Sequence, residues 1–213
     1  MDFIPENIND YCEQHTKEES EVLKTLNRHT NVNVLRPRML SGHLQGKLLS
    51  MLSGMVKPKR VLEIGTYTGY SAICLAKGIV EGGELITVDC NEELEDLANE
   101  YFQKAGYGLT IKMITGDATQ IIPSLADGFD LVFIDADKES YVNYYHQVFD
   151  KVNSGGYIVV DNVLWSGKVV QELKTGDKET QGILDFNALV QNDERVENIL
   201  LPFRDGLMIL QKK

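Results

Sequence analysis

The sequence predicts an α/β fold in which a mostly parallel sheet carries helices on both faces and ends in an antiparallel hairpin. After the first 57 residues, short apolar segments alternate with longer amphipathic segments, which is the pattern of successive βαβ units. The apolar segments show no polar alternation, as expected for strands that are covered on both faces. The last two are separated only by Arg204-Asp205-Gly206, and a connection that short cannot contain a crossover helix.

The N-terminal part of the chain is predicted to be helical. Apolar side chains recur at helical spacing over residues 18–27 and 40–55. Pro37 marks the entrance of a helix. Pro58 ends the helical pattern directly before the first strand.

The rest of the chain predicts five parallel strands followed by the hairpin. The predicted strands are residues 60–64, 84–89, 110–115, 129–135, 157–161, 196–203 and 207–211. The predicted helices between them are residues 70–79, 91–105, 119–125, 139–152 and 177–191. Asn91 is suited to cap the second of these helices. The length fits a single domain over 1–213, with a helical extension over 1–57 and a sheet core over 58–213.

Composition and charge restrict the class of protein. The net charge of −11 opposes broad non-specific binding to nucleic acid. No apolar run is long enough to span a bilayer, and the acidic N-terminus lacks the apolar stretch of a signal peptide. Cys12, Cys74 and Cys90 are odd in number and widely spaced, which favours free thiols in a reducing cytoplasm over disulfides or a zinc site.

A glycine turn follows the first predicted strand. Gly65 and Gly69 lie between that strand and the next helix, and such a turn forms a ligand crevice at the carboxyl edge of a parallel sheet. Tyr67 stands where the dinucleotide fingerprint G-x-G-x-x-G has its middle glycine, which lets the backbone approach a pyrophosphate. The turn therefore favours a ligand without phosphates, such as S-adenosylmethionine.

Acidic or amide side chains end four of the predicted strands. Glu63 ends the first, Asp89 the second and Asp135 the fourth, while Asp161-Asn162 ends the fifth. Parallel strands place these groups at one edge of the sheet, and Asp89 follows the glycine turn at nearly the offset of a ribose-binding acid. Any one of them could instead be an ordinary helix cap.

Three of these residues suggest a cation site. Asp135, Asp161 and Asn162 offer only hard oxygen ligands, a set that suits Mg²⁺, Mn²⁺ or Ca²⁺. The alternative is that Asp161-Asn162 forms a turn and Asp135 caps a helix.

Lys138 is a candidate general base beside this set. A lysine at a helix start is disfavoured by the helix dipole, and burial with a nearby cation would lower its pKa. A solvated lysine is the alternative. Trp165 is predicted to form either an aromatic wall of the site or part of the core, and the polar loop 167–178 has the composition of a mobile lid.

Three motifs carry a resemblance to a known family. They are Leu62-Glu63-Ile64-Gly65-Thr66-Tyr67-Thr68-Gly69-Tyr70-Ser71, Asp135-Ala136-Asp137-Lys138 and Asp161-Asn162-Val163-Leu164-Trp165. With them, nearly the whole chain resembles the cation-dependent O-methyltransferases that use S-adenosylmethionine, the group that contains the caffeoyl-CoA and catechol O-methyltransferases.

The resemblance implies a fold and a set of site residues. The fold is the Rossmann-like class I methyltransferase fold, with the terminal hairpin as strands six and seven. The residues implied around the cofactor are Met39, Ser41, Glu63, Gly65, Tyr67, Ser71, Asp89, Asp117, Ala118 and Asp135. The resemblance also implies metal ligation by Asp135, Asp161 and Asn162, and catalysis by Lys138 and Asp135. Relatives of this kind are often dimers, so a homodimer is expected.

The expected activity is methyl transfer to a hydroxyl of a vicinal diol on a small aromatic molecule. One alternative is methylation of a hydroxylated uridine in tRNA, with Arg36, Arg38, Lys57 and Lys59 as a local RNA surface. A non-catalytic cofactor-binding protein and an NAD-dependent dehydrogenase are the remaining alternatives. The intact polar set opposes the first of these, and Tyr67 with the terminal hairpin opposes the second.

Overall fold

The computed structural model describes residues 4–213, which form helices around a seven-stranded sheet. The strand order is β3-β2-β1-β4-β5-β7-β6. The strands are β1 (Arg60–Ile64), β2 (Glu84–Asp89), β3 (Ile111–Thr115), β4 (Phe129–Ile134), β5 (Val152–Asp161), β6 (Val196–Leu201) and β7 (Leu207–Lys212). Strands β1 to β5 pair in parallel, whereas β7 is antiparallel to both β5 and β6. The predicted fold class is confirmed.

The sheet order places a ligand crevice between β1 and β4. The chain runs from β1 outward to β2 and β3, and then returns to the other side of β1 to form β4 and β5. The strand order therefore reverses at the neighbouring carboxyl ends of β1 and β4, the position at which open α/β sheets bind ligands.

The helices surround the sheet and lead into its carboxyl edge. They are α1 (Glu6–Gln14), α2 (Glu21–Asn33), α3 (Gly42–Val56), α4 (Tyr70–Ala76), α5 (Glu95–Lys104), α6 (Ala118–Ile121), α7 (Tyr141–Phe149) and α8 (Lys178–Gln191). Short 3₁₀ turns occupy Pro37–Met39, Glu92–Leu94, Ile122–Ser124, Lys138–Ser140 and Trp165–Val170. The predicted cap is present, because Asn91 Oδ1 accepts a hydrogen bond from the backbone N–H of Glu93 at 3.0 Å.

Some predicted element boundaries are wrong. The helix predicted over 139–152 ends at Phe149, and β5 begins at Val152 instead of residue 157. The Gly155-Gly156 pair lies inside the strand, where a register irregularity between β4 and β5 and the positive φ of Gly155 accommodate it. Sequence patterning also stopped α2 six residues early, and it did not locate α1.

Apolar side chains alternate between two cores, one on each face of the sheet. Leu62 and Val132 point into a core that contains residues of α7 and α8. Val61 and Leu131 point to the other face, against residues of α4 and α5. This arrangement explains why the strand sequences lack polar alternation.

The N-terminal helices pack on the second of these faces. Leu26 of α2 and Leu49 of α3 are fully buried there. A Cβ atom on Gly46 would lie 2.6 Å from the Tyr70 ring, so the glycine lets α3 approach α4 closely. The division into a 1–57 extension and a 58–213 core remains a proposal. Within residues 4–213, none of the helices combines the length and apolar character that crossing a membrane requires.

Candidate active site

The ends of β1 and β4 approach closely because the residue after β1 is a glycine. Gly65 has φ of +102°, and a Cβ atom there would lie only 2.0 Å from the carbonyl oxygen of Asp135. The backbone N–H of Asp135 donates to Ile64 O at 2.9 Å. The glycine turn therefore brings the cofactor motif of β1 into contact with the segment that carries Asp135.

The glycine turn is braced from β2 by Asp89. Asp89 Oδ2 accepts the backbone N–H of Tyr67 at 2.7 Å, and its Oδ1 accepts that of Asn91 at 2.9 Å. This anchor holds Tyr67 at φ of +49°, a conformation that a tyrosine rarely adopts without support. The Tyr67 hydroxyl donates to Leu35 O at 3.0 Å, which ties the turn to the segment before α3.

Glu63 is fully buried beneath the turn with one oxygen unpaired. Its Oε2 accepts a hydrogen bond from Thr87 Oγ1 at 2.5 Å. Its Oε1 is buried and has no partner among the described residues. Burial, with smaller contributions from the charges of Asp135 and Asp89, raises the pKa of Glu63 to about 8. A buried carboxyl oxygen without a partner suits a cationic or hydrogen-bond-donating ligand group.

Asp135 directly follows β4, and Asp161 is the last residue of the neighbouring parallel strand β5. Ile134 pairs with Val160, so the next residue of each strand lies side by side at the carboxyl edge. Asp161 is buried, and burial with the charge of Asp135 raises its pKa to about 6. Asn162 follows with φ of +59°, and its backbone N–H donates to Asp161 Oδ1 at 2.8 Å.

The donor set at this edge contains two carboxylates and one amide. Within residues 4–213, no group of three or more His, Cys, Asp and Glu side chains is arranged to hold a metal ion. A cation held by Asp135 and Asp161 would therefore need the amide oxygen of Asn162, water or substrate to complete its coordination. All these ligands are hard oxygens, as Mg²⁺ and Ca²⁺ prefer.

Lys138 is buried and paired with Asp135. Its Nζ lies 2.9 Å from Asp135 Oδ1, 5.0 Å from the ring centroid of Tyr141 and 5.8 Å from that of Trp165. Burial by itself would lower the pKa of Lys138, but the interactions with Tyr141 and Asp135 raise it above its usual value. We attribute the rise to the carboxylate, because the Tyr141 hydroxyl donates to the Asp161 carbonyl. The prediction that burial together with a nearby cation lowers this pKa stays a prediction, because burial alone does not outweigh the interaction with Asp135.

The remaining predicted residues lie around the same edge. Ser71 is buried in the first turn of α4. Asp117 caps α6, and its Oδ1 accepts the backbone N–H of Thr119 at 2.8 Å, with Ala118 buried behind it. Ser41 is buried just before α3, whereas Met39 is half-exposed. Both bonds from Thr119 go to Oδ1 of Asp117, so Oδ2 of this carboxylate keeps its capacity to accept a hydrogen bond from a ligand.

Comparison with known proteins identifies the family. A family model described as O-methyltransferase matches residues 13–213. Caffeoyl-CoA O-methyltransferase from Stellaria longipes is 34% identical over 204 residues, which cover 91% of this chain and 84% of that protein. The chain belongs to the O-methyltransferase family. The resemblance inferred from the three motifs is confirmed.

Solved structures show the same class I methyltransferase fold as this O-methyltransferase. The SAH-bound methyltransferase from Podospora anserina has a TM-score of 0.89 and 28% identity, with 100% of this chain and 99% of that chain covered. The tomaymycin-synthesis O-methyltransferase from Streptomyces achromogenes, in complex with SAM, has a TM-score of 0.88 and 27% identity, with 97% and 96% covered.

Sequence analysis missed two polar residues of this O-methyltransferase beside the predicted metal ligands. Gln45 of α3 is 1% exposed, and its Nε2 donates to Asp161 Oδ2 at 2.6 Å. Arg204, in the turn between β6 and β7, donates from Nη1 to Gln45 Oε1 at 2.6 Å and also to the carbonyl of Ser41. A glutamine on the buried face of a helix was the available sequence signal for Gln45.

Proposed function

We propose that this protein transfers the methyl group of S-adenosylmethionine to one hydroxyl of a vicinal diol on a small aromatic molecule, with a divalent cation as cofactor. The observation that carries the proposal is the convergence of Asp135, Asp161 and Asn162 at one sheet edge, with Lys138 in contact with Asp135. Family membership already establishes O-methyl transfer as the reaction class.

S-adenosylmethionine as the methyl donor agrees with the family and with the SAM-bound and SAH-bound structures of similar proteins. The unpaired Oε1 of Glu63 fits a donor with a positively charged amino group. Asp89, which already holds the Tyr67 N–H, keeps further acceptor capacity for ribose hydroxyls. Gly65 lets the glycine turn contact the segment that carries Asp135 at the switch point between β1 and β4.

The two carboxylates and the amide fit a hard divalent cation. Burial and, to a smaller extent, the charge of Asp135 raise the pKa of Asp161, and a positive charge beside the two carboxylates would favour their ionised forms. When bound, a divalent cation supplies Lewis acidity that lowers the pKa of an acceptor hydroxyl and fixes its orientation.

The chain's own residues would then orient the acceptor and receive its proton. Lys138 Nζ lies at the Asp135 carboxylate and 5.8 Å from the centroid of the Trp165 ring, so an acceptor held by a cation at Asp135 would have a potential base and an aromatic side chain beside it. Lys138 can take up a proton only when the hold of Asp135 on its ammonium is weakened. We therefore propose that engagement of Asp135 by other positive charge at the site makes Lys138 a usable base.

The acceptor class rests on the chemistry of the site and on the relatives. The relatives are named for caffeoyl-CoA. For this chain we propose only the general class of acceptor, a catechol-like aromatic molecule. The tRNA alternative gains no supporting observation. Arg36 and Arg38 precede α3, whereas Lys57 and Lys59 follow it, so a 15-residue helix of about 22 Å separates the two pairs.

An acceptor screen with labelled S-adenosylmethionine tests the proposal. The protein is first stripped with EDTA and then assayed on simple catechols and on bulk tRNA, with and without added Mg²⁺, Mn²⁺ or Ca²⁺. We expect labelled catechol only when the cation is restored. Equal labelling in EDTA would contradict the cation role, and labelling of tRNA with a steep salt dependence would favour the RNA alternative.

Assembly and compartment complete the proposal. We propose a homodimer formed through the N-terminal helices, which expose large apolar side chains such as Val32 and Met55. We also propose a cytoplasmic location, since Cys12, Cys74 and Cys90 are all free thiols.

A further inference from the structure

Gln45 connects the proposed cation site to the C-terminal hairpin. Its side-chain amide lies between Asp161 Oδ2 and Arg204 Nη1, each 2.6 Å away. These partners are 116 and 159 residues distant in the chain. Three separate elements, β5, α3 and the β6–β7 turn, therefore meet at one buried amide.

The chemistry of Arg204 fixes which way the Gln45 amide points. A guanidinium can only donate hydrogen bonds, so the amide oxygen must face Arg204. The amide NH₂ then faces Asp161 and donates to Oδ2. Because the backbone N–H of Asn162 donates to Oδ1, both oxygens of the Asp161 carboxylate are held, and each keeps a lone pair for another ligand.

Both sides of the amide are anchored by the fold. The close contact of Gly46 with Tyr70 fixes α3 against α4 next to Gln45. Arg204 also donates to the carbonyl of Ser41 at the start of α3. The turn that carries Arg204 is bonded to the segment after Asn162, since Leu164 N donates to Asp205 O at 2.9 Å. The amide therefore has little freedom to turn away.

We propose that Gln45 is a positioning residue that fixes the Asp161 carboxylate for a divalent cation, and that Arg204 acts on the cation through Gln45. This inference rests on the proposed cation dependence. Removing the amide leaves a buried carboxylate oxygen without its donor, so the carboxylate is free to rotate and binds the cation less well. Removing Arg204 leaves the amide free to reverse and present its oxygen to Asp161.

Equilibrium binding of Mn²⁺ to the full chain without cofactor or acceptor tests the inference. Free Mn²⁺ is measured by electron paramagnetic resonance for the unaltered protein, Gln45→Met, Arg204→Met and the double variant. Methionine keeps the length of glutamine but has no amide. We expect Gln45→Met to weaken Mn²⁺ binding about tenfold or more. Arg204→Met should weaken it less, and the double variant should equal Gln45→Met.

Two controls separate positioning from general damage. Gln14→Met, at an exposed position of α1, should leave Mn²⁺ binding unchanged. Calorimetric binding of S-adenosylhomocysteine in EDTA should be the same for the unaltered protein, Gln14→Met and Gln45→Met, because the side chain of Gln45 is bonded only to Asp161 and Arg204 and to none of the residues proposed to hold the cofactor's methionine or ribose part. Loss of S-adenosylhomocysteine binding together with Mn²⁺ binding would mean a structural role and would overturn the inference.

Each other outcome also decides the matter. Unchanged Mn²⁺ affinity in folded Gln45→Met overturns the role of Gln45. Additive losses in the double variant overturn the route from Arg204 through Gln45. If Gln45→Met does not fold, Arg204→Met decides the question, because residue 204 is exposed. Unchanged Mn²⁺ affinity in Arg204→Met then overturns the proposal, and weakened Mn²⁺ affinity supports it. Absence of Mn²⁺ binding by the unaltered protein overturns the proposed cation dependence itself, and this inference with it.

Discussion

The Nζ atom of Lys138 lies 2.9 Å from Oδ1 of Asp135, three residues earlier in the chain. Both residues belong to the connection between β4 and α7, and both face the carboxyl edge of the sheet. The pair keeps a positive charge buried in a place where helix geometry alone would disfavour it. The pKa of Lys138 therefore depends on the charge of Asp135. We expect it to change when a cofactor or substrate binds beside this carboxylate.

Replacing the lysine should separate catalysis from cofactor binding. We expect Lys138→Met to lower kcat about 10²- to 10⁴-fold, the usual range for loss of a general acid or base. Binding of S-adenosylhomocysteine should change little. Calorimetry and steady-state kinetics on the catechol found in the screen measure both quantities, with Lys178→Met at an exposed position as the matched control. Unchanged kcat would remove Lys138 from the mechanism.

Replacing a proposed ligand should abolish activity without preventing cofactor binding. Asp161→Ala removes one of two carboxylates from the donor set, so we expect no measurable methyl transfer to a catechol and no recovery with added Mg²⁺. S-adenosylhomocysteine should still bind, because the glycine turn and Asp89 are untouched. Activity within tenfold of the unaltered protein would contradict the assignment of Asp161.

Glu63 should make the stability of the cofactor-free protein depend on pH. Its pKa is about 8 in the folded chain, against 4.5 for an unperturbed glutamate. Between these values the folded state keeps a proton that the unfolded state has lost. The stability that Glu63 contributes is fully present below pH 4.5 and is lost as the pH rises through about 8. The slope attributable to Glu63 is at most about 1.4 kcal/mol per pH unit.

Glu63→Gln mimics the neutral acid and should remove this slope. Urea unfolding of both proteins at several pH values between about 5 and 8 measures the difference. If the two curves of unfolding free energy against pH stay parallel, Glu63 is not the group that titrates.

A methyl group added at the glycine turn should lower the free energy of unfolding. Gly65→Ala combines a positive φ with a Cβ atom 2.0 Å from a backbone oxygen. Gly82→Ala is the matched control, because its φ is +73° and nothing lies within 4 Å of the added atom. We expect about 1–2 kcal/mol of destabilisation for Gly82→Ala from backbone strain. Gly65→Ala should lower the free energy of unfolding by more than this in the same urea experiment. Equal decreases for the two variants would show that the close approach of Gly65 to Asp135 does not contribute to the destabilisation.

Charge on the N-terminal helices should disrupt the proposed dimer. Val32 is 72% exposed near the end of α2, whereas Leu109 is 96% exposed beside β3. We expect light scattering to give twice the chain mass for the unaltered protein and for Leu109→Glu, but the monomer mass for Val32→Glu. A monomeric unaltered protein would refute the dimer. A dimeric Val32→Glu would place the interface elsewhere.

The sequence by itself determined the succession of the strands along the chain, their direction and the residues at their carboxyl ends, but not their order within the sheet. Uninterrupted apolar segments, glycine turns and the short connection at Arg204 are local signals, and parallel topology then brings Asp135 and Asp161 to one edge. The exact start of β5 was not determined, because two glycines inside a strand look like a turn when only the local sequence is considered.

Only the tertiary structure decided how the strand-end groups are held and charged. The bond from Gln45 to Asp161 spans 116 residues of sequence and that from Arg204 to Gln45 spans 159, so no local pattern encodes them. The pKa of Lys138 likewise depends on whether burial or a carboxylate prevails. Burial and long-range hydrogen bonds arise when distant elements pack together, which is why the sequence predicts the chemical groups of the site but not their environment.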